Sequence, residues 1–271
     1  MSDASPLLLF VTGAATGLLG SMLGLGGGVF LVPLLTLALG VPIRVAIAAS
    51  LISVMATAVA SASVNLGRGL VNMRLGLLLE VATASGALLG GLVAAHLTQR
   101  QLFLIFAVTM ASMGLVMAAR SGRRNVIADL SVDVGALGGR LREGEAQYVY
   151  RVRLLPLGLL ASLIAGAVSG LLGLGGGIVK VPVLNTFCGI PIRVAAATST
   201  FMIGITTAAS AFLYYGRGEI ALPLTAAVVL GALPGSLVGA RISDRVATRW
   251  LKMLMAVVLL GVGFRMALEG R

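Results

Sequence analysis

The chain of 271 residues is 58% hydrophobic and only 11% charged, and its mean hydropathy is +1.06. Because soluble domains carry about 25% charged residues, this composition excludes an ordinary cytosolic enzyme and a disordered chain. The formal net charge is +11, but the arginines lie between apolar runs and not on one basic face. That pattern is typical of the loops of membrane proteins and argues against a nucleic-acid partner.

Apolar stretches without charge divide the chain into candidate membrane spans. A spanning helix needs about 20 apolar residues. In chain order the uncharged stretches cover residues 4–43, 45–67, 81–99, 101–119, 154–179, 194–216 and 220–240. Residues 253–264 form a weaker candidate span, because the stretch is shorter. The first residues lack the basic segment of a secretory signal peptide, so we expect no cleaved leader. The sequence predicts an all-α polytopic protein embedded in a lipid bilayer.

The segment 120–153 differs from the rest of the chain, because it contains seven arginines and four acidic residues. We interpret it as one extramembrane loop, in which residues 126–134 and 148–152 show the alternation of short strands. This loop separates a first transmembrane repeat at residues 1–119 from a second one at residues 154–271.

The two apolar halves are copies of each other. The segment LGLGGG at 23–28 recurs at 172–177, and GVPIRVA at 40–46 recurs as GIPIRVA at 189–195. Each copy lies 149 residues after the first, as the pairs 28 and 177 or 40 and 189 show. Unrelated apolar helices do not keep a common register in this way, so the sequence indicates an internal duplication.

The duplication allows two topologies. If the glycine-broken first segment crosses the membrane once, each half has four crossings and the repeats are parallel. If it is a re-entrant hairpin, each half has three crossings and the repeats are inverted. Leaving Lys180 aside, the inverted arrangement divides the Lys and Arg residues 14 to 5 and the parallel one 12 to 7. The positive-inside rule therefore favours inverted repeats with the central loop in the cytoplasm.

The triple glycines are the first candidate binding site. Backbone exposed within a membrane persists only where protein or a water-filled cavity surrounds it, and paired interruptions in two repeats are typical of transporter binding sites. The helix that restarts after each interruption presents free N–H groups that favour an anion. The alternative is close helix packing through small residues. The candidate ligands are Gly26, Gly27, Gly28, Gly175, Gly176 and Gly177.

Lys180 lies two residues into the second restarted helix, where the first repeat has Leu31. A lysine at the centre of a membrane helix costs about 2.5–3.5 kcal/mol or more, so it predicts a functional role. The alternative is snorkelling of its ammonium group to an interface. Glu80 is open to two interpretations, an ion pair with Arg74 near the interface or a role in proton coupling.

Hydroxyl side chains follow Arg44 and Arg193 in the first turns of the next helices. Ser50, Thr198 and Ser199 are candidates for hydrogen bonds to the oxygens of a sulfite- or sulfonate-like anion. The alternative is a hydrogen bond to the backbone of their own helix.

Several chemistries are not supported by the sequence. One histidine and one cysteine cannot form a metal site, and Cys188 has no second cysteine to pair with. The glycine clusters match neither a P-loop nor a dinucleotide-binding motif. We therefore expect no cofactor, no metal and no catalytic residues, and transport driven by a gradient or running downhill.

The doubled G-L-G-G-G, each copy followed by V-P and then by G-[VI]-P-I-R-V-A, resembles the TauE/SafE family of sulfite exporters and anion permeases. The resemblance covers residues 7–118 and 154–267 and extends to the lysine before the second V-P. It implies a secondary transporter of small anions, chiefly sulfite and organosulfonates, in the bacterial inner membrane and linked to protons. It also implies that the triple glycines and Lys180 bind the substrate. A passive anion channel and a non-transporting scaffold are the alternatives, and homo-oligomerisation remains open.

Overall fold

The structure is a computed structural model that describes residues 5–24, 26–119, 135–143, 146–242, 260–266 and 268. The first half contains α1 (Pro6–Leu23), α2 (Gly28–Pro33) with a π-helical continuation (Leu34–Ala38), α3 (Ile43–Gly67), α4 (Met73–Ala94) and α5 (Gln99–Ala119). The second half contains α6 (Leu155–Leu172), α7 (Gly177–Thr186), α8 (Ile192–Gly216) and α9 (Leu222–Ile242). Residues 260–266 are also helical.

Among the described residues, five helices are long and apolar enough to cross a membrane, namely α3, α4, α6, α8 and α9. The prediction of an all-α polytopic membrane protein is therefore confirmed. The bounds of α6 and α8 lie 149 residues after those of α1 and α3 at both ends, so equivalent sequences form equivalent helices.

The helices end where the local sequence requires it. Gly24 closes α1 and Gly173 closes α6, each in the left-handed conformation that a residue without a Cβ adopts at low cost. Asn72 caps α4, because its side chain accepts a hydrogen bond from the Leu75 N–H at 3.1 Å.

Glycines allow helices of opposite halves to approach closely. A Cβ on Gly231 of α9 would overlap the Phe10 carbonyl of α1, and one on Gly239 would overlap that of Leu18. Residue numbers increase together along this contact, so α1 and α9 run parallel. Glycines of α4 and α6 make the equivalent contact, and they include Gly86 and Gly166. Each half therefore packs its first helix against the fourth helix of the other half.

The equivalent helices α3 and α8 pack against each other at the centre. Arg68, just past the end of α3, donates to the Ala240 carbonyl near the end of α9 at 3.0 Å. Asn72, five residues past the end of α3, donates its N–H to Thr198 Oγ1 near the start of α8 at 3.0 Å. The start of α8 therefore lies near the end of α3, and the two helices run in opposite directions. Inverted repeats require this arrangement, whereas the sidedness in the membrane stays a prediction.

A β-hairpin precedes the second half, with β1 (Gly139–Glu143) antiparallel to β2 (Ala146–Tyr150). The predicted strand at 148–152 overlaps β2, whereas 126–134 lies outside the described residues. Tyr150 is buried, and its hydroxyl accepts a hydrogen bond from the Asn72 side chain at 3.1 Å. The hairpin is thereby attached to the start of α4.

Candidate functional site

The two glycine-rich interruptions meet at the centre of the molecule. Gly26 and Gly175 have φ angles of +81° and +74°, which glycine adopts without strain. A Cβ on Gly26 would lie 2.7 Å from Val54 Cγ1, and a Cβ on Gly175 would lie 2.8 Å from Ile203 Cγ2. Val54 and Ile203 occupy the middles of α3 and α8. The interruptions therefore lie at mid-depth, against the two central helices.

Hydroxyl groups of α3 bond carbonyl groups that the interruptions leave free. Ser50 Oγ donates to the Gly173 carbonyl at 2.8 Å, and Thr57 Oγ1 donates to the Gly26 carbonyl at 3.3 Å. Both hydroxyls are buried. Ser50 thus supports the backbone of the opposite repeat, because a carbonyl group without a partner is costly within a membrane.

A new helix begins directly after each interruption. Gly27 and Gly176 are the N-terminal caps of α2 and α7, and neither start has a side-chain cap. The first N–H groups of a helix have no acceptor within that helix, and the helix dipole adds positive potential there. Of the two helices, α7 is the longer regular α-helix, with 10 residues against 6.

Lys180 lies in the first turn of α7 and is 1% exposed. Its Nζ atom has no hydrogen-bond partner among the described residues. The side chain folds toward the start of its own helix, because a Cβ on Gly176 would lie 3.3 Å from Lys180 Cε. A snorkelling lysine would expose its ammonium group. The buried ammonium instead lies next to the N-terminus of α7.

Glu80 of α4 is a buried acidic residue for which the sequence allowed two interpretations. It is 4% exposed, and its Oε1 accepts a hydrogen bond from Thr206 Oγ1 at 2.6 Å. Its Oε2 is buried with no partner among the described residues. Arg74 is exposed and forms no ion pair with it. Glu80 is therefore buried against α8 and not paired with Arg74, so the interpretation as an interfacial ion pair is wrong.

The predicted hydroxyl ligands are in different environments. Thr198 Oγ1 accepts a hydrogen bond from the Asn72 N–H at 3.0 Å and so supports the start of α4. Ser199, the repeat equivalent of Ser50, is fully buried, and its Oγ has no partner among the described residues. The structure therefore brings Gly26, Gly28, Gly175 and Ser50 together at the centre, whereas Thr198 lies at the start of α4.

Arg44 and Arg217 hold helix ends in place. Arg44 forms a 3.3 Å ion pair with Glu219 and donates to the Leu97 carbonyl at 2.6 Å. Arg217 donates to the Gly91 carbonyl at 2.6 Å, which is the repeat equivalent of the bond from Arg68. These arginines connect the two halves in addition to any effect on topology.

Comparison with known proteins agrees with this architecture. The family described as Sulfite exporter TauE/SafE matches residues 9–266. A probable membrane transporter protein of Bacillus subtilis, YunE, is 27% identical over 97% of this chain and 98% of its own length. A probable membrane transporter protein of Methanocaldococcus jannaschii is 24% identical over 96% and 95%.

A shorter match joins the chain to a plant protein. Sulfite exporter TauE/SafE family protein 1 of Arabidopsis thaliana is 33% identical over 40% of this chain and 23% of its own length. No solved structure gives a significant match. The family match extends over nearly the whole chain and both repeats, and the protein is therefore a multi-pass membrane transporter of the TauE/SafE family.

Proposed function

We propose that this transporter carries small sulfur oxyanions, such as sulfite or an organosulfonate, and binds them at the start of α7. The observation that carries the proposal is the buried, unpartnered ammonium group of Lys180 beside the N-terminus of α7. A buried positive charge without a counter-ion in direct contact is costly, and a bound anion would offset this cost.

The surroundings of Lys180 suit an oxyanion with several acceptor oxygens. The first N–H groups of α7 belong to Gly177 and Ile178, and no side chain caps this helix start with a hydrogen bond. Because Gly176 has no Cβ, the Lys180 side chain can pack close to this backbone, and its Cε atom lies 3.3 Å from where a Cβ would be. Ser199, the repeat equivalent of Ser50, is a buried hydroxyl on α8 with no partner among the described residues. We assign substrate contact to Lys180 and Gly175–Gly177, and we keep Ser199 as a candidate ligand.

A panel of anions tests the substrate class. Purified protein in proteoliposomes is expected to take up sulfite or methanesulfonate and to leave sodium and potassium outside, because an ammonium group and a helix N-terminus attract anions and repel cations. The measurement is initial uptake of each ion, with protein-free vesicles as the control. Transport of a cation without any movement of sulfite, sulfate, methanesulfonate or taurine would refute the assignment.

The same assay separates a carrier from a passive channel. We propose proton-linked transport, and a proton gradient should then drive accumulation of the anion above its external concentration. A channel would equilibrate the anion and stop, and a scaffold would show no flux.

We further propose that the protein lies in the bacterial inner membrane with the central loop in the cytoplasm. Gly67 and Gly216 are repeat-equivalent, exposed positions where an added Cβ meets nothing within 4 Å. After Cys188, the single cysteine, is replaced with alanine, Gly67→Cys is expected to react from the cytoplasm and Gly216→Cys from the outside. The measurement is labelling by a membrane-impermeant maleimide in intact and lysed cells. Labelling of both from one side would refute inverted repeats.

A further inference from the structure

Among the described residues, the buried core holds two opposite charges, one from each half, and neither has a charged counterpart at its repeat-equivalent position. Lys180 on α7 and Glu80 on α4 interact electrostatically but form no direct ion pair. At the repeat-equivalent positions the chain has Leu31 and Val229, which carry no charge. The duplicated fold therefore forms with apolar residues at the equivalent positions. The charges of Lys180 and Glu80 consequently require a reason other than folding.

The hydroxyl next to this pair also differs between the halves. Thr57 in the first half shares its hydroxyl hydrogen between the Val54 carbonyl of its own helix at 3.1 Å and the carbonyl of the glycine interruption, at Gly26, at 3.3 Å. Its equivalent, Thr206, donates to Glu80 Oε1 at 2.6 Å. A hydroxyl donor stabilises a carboxylate, and Oε2 remains without a partner among the described residues. Glu80 therefore has one supported oxygen and one oxygen available for a proton.

Charge balance limits the states that this buried pair can adopt. With Glu80 ionised and Lys180 protonated, the pair is neutral overall. A monovalent anion at Lys180 would give the site a net charge of −1, and a proton on Glu80 without an anion would give +1. Both states are costly where water is scarce, because an unbalanced buried charge is poorly solvated. Addition of one proton and one anion together restores neutrality.

We propose that Glu80 is the proton-binding residue of this transporter and that its protonation releases Lys180 to bind the anion. The proposal rests on the proposed anion transport and names the coupling residue for it. The proton adds to the Glu80 carboxylate, the anion binds the ammonium group of Lys180, and one proton accompanies each monovalent anion.

Among the described residues of the helices packed on α4, no other charged side chain lies in the buried core next to Glu80. The helices packed on α4 are α6 and α8. Helix α6 has no titratable side chain, and α8 has Arg193, Tyr214 and Tyr215 toward its two ends. On α4 itself, Arg74 is exposed. On the elements packed on α7, Arg100 lies in the first turn of α5, and Lys180 is the charge that acts on Glu80.

The test compares wild-type protein with Glu80→Gln in proteoliposomes that contain a pH-sensitive dye. Gln keeps the shape of Glu80 and an acceptor oxygen for Thr206, but it takes up no proton. Wild-type vesicles are expected to move protons with sulfite and to accumulate it under a proton gradient. Glu80→Gln is expected to exchange labelled sulfite for unlabelled sulfite and to lose proton movement and accumulation by about tenfold or more, a difference equivalent to about 1.4 kcal/mol.

Glu219→Gln is the matched control, because it makes the same chemical change at an acid that pairs with Arg44. It should keep the wild-type coupling. Equal loss of coupling in both variants, or full coupling in Glu80→Gln, would overturn the assignment. Wild-type vesicles that carry sulfite without protons would overturn it as well and leave the transporter function standing. Wild-type vesicles that carry no anion would overturn both.

A second measurement uses the wild-type protein alone and does not depend on how a variant folds. Binding of methanesulfonate is followed by calorimetry in two buffers with different ionisation enthalpies. The charge of this anion does not change near neutral pH, so any proton taken up comes from the protein. Uptake of one proton per bound anion is expected, and binding without proton uptake would contradict the proposal.

Discussion

Replacing Lys180 with leucine is expected to lower the affinity for sulfite by about 100-fold while the protein still folds. Loss of a charged partner at a buried site costs about 2–5 kcal/mol, and a loss of about 3 kcal/mol corresponds to about 100-fold. Leucine is a compatible replacement, because Leu31 occupies the equivalent place in the first repeat and is 1% exposed. The measurement is equilibrium binding of labelled sulfite to purified protein.

The control for this variant is Leu31→Met, a change of similar volume at the uncharged equivalent position. Its sulfite affinity should equal that of the wild type, since volume-conserving changes in a core are well tolerated. Unchanged sulfite affinity in Lys180→Leu would remove Lys180 from the binding site.

The effects of Glu80 and Lys180 substitutions on the free energy of unfolding are expected to be coupled. Glu80→Val alone leaves a buried ammonium group without its opposite charge, and breaking such a pair costs about 3–5 kcal/mol. The double variant Glu80→Val/Lys180→Leu places at these positions the residues found at their repeat equivalents, Val229 and Leu31. Replacing both charges with apolar side chains is often neutral or stabilising, so the double variant should recover the lost stability.

Thermal unfolding in detergent measures this effect. We expect a melting temperature about 5–10 °C lower in Glu80→Val than in the wild type, and near the wild-type value in the double variant. Additive losses in the double variant would contradict a coupled pair. The double variant should also be inactive in anion transport, which separates the function of the charges from their effect on folding.

Much of the architecture was predictable because the duplication is visible in the sequence. The 149-residue offset of LGLGGG predicts equivalent helices, and the bounds of α1 and α6 follow it. The cost of a lysine in an apolar run identified Lys180 before any contact was known. Charge bias favours inverted repeats, and this topology in the membrane stays a prediction that the cysteine labelling tests.

Contacts between distant helices could not be predicted in this way. Glu80 and Thr206 are 126 residues apart, and no periodicity connects two positions on different helices. For the same reason the sequence offered no distinction between Ser50, which bonds the opposite interruption, and Thr198, which supports the start of α4. The strand β1, which pairs with β2, was not predicted either, because alternation alone does not determine pairing.

The residues at the repeat equivalents of Lys180 and Glu80 indicate why the two charges are present. Leu31 and Val229 show that apolar side chains fill this position in the fold, so Lys180 and Glu80 are not required for packing. A symmetric membrane fold with one asymmetric charge pair is suited to bind one charged substrate and one compensating proton.

The most direct test of the central claim is the initial rate of sulfite uptake by wild-type and Lys180→Leu proteoliposomes under the same inward proton gradient. The account predicts accumulation by the wild type and a rate at least about 100-fold lower in the variant, the factor expected for about 3 kcal/mol. Uptake by Lys180→Leu at the wild-type rate, in protein that shows a cooperative thermal unfolding transition, would contradict an anion site at the start of α7.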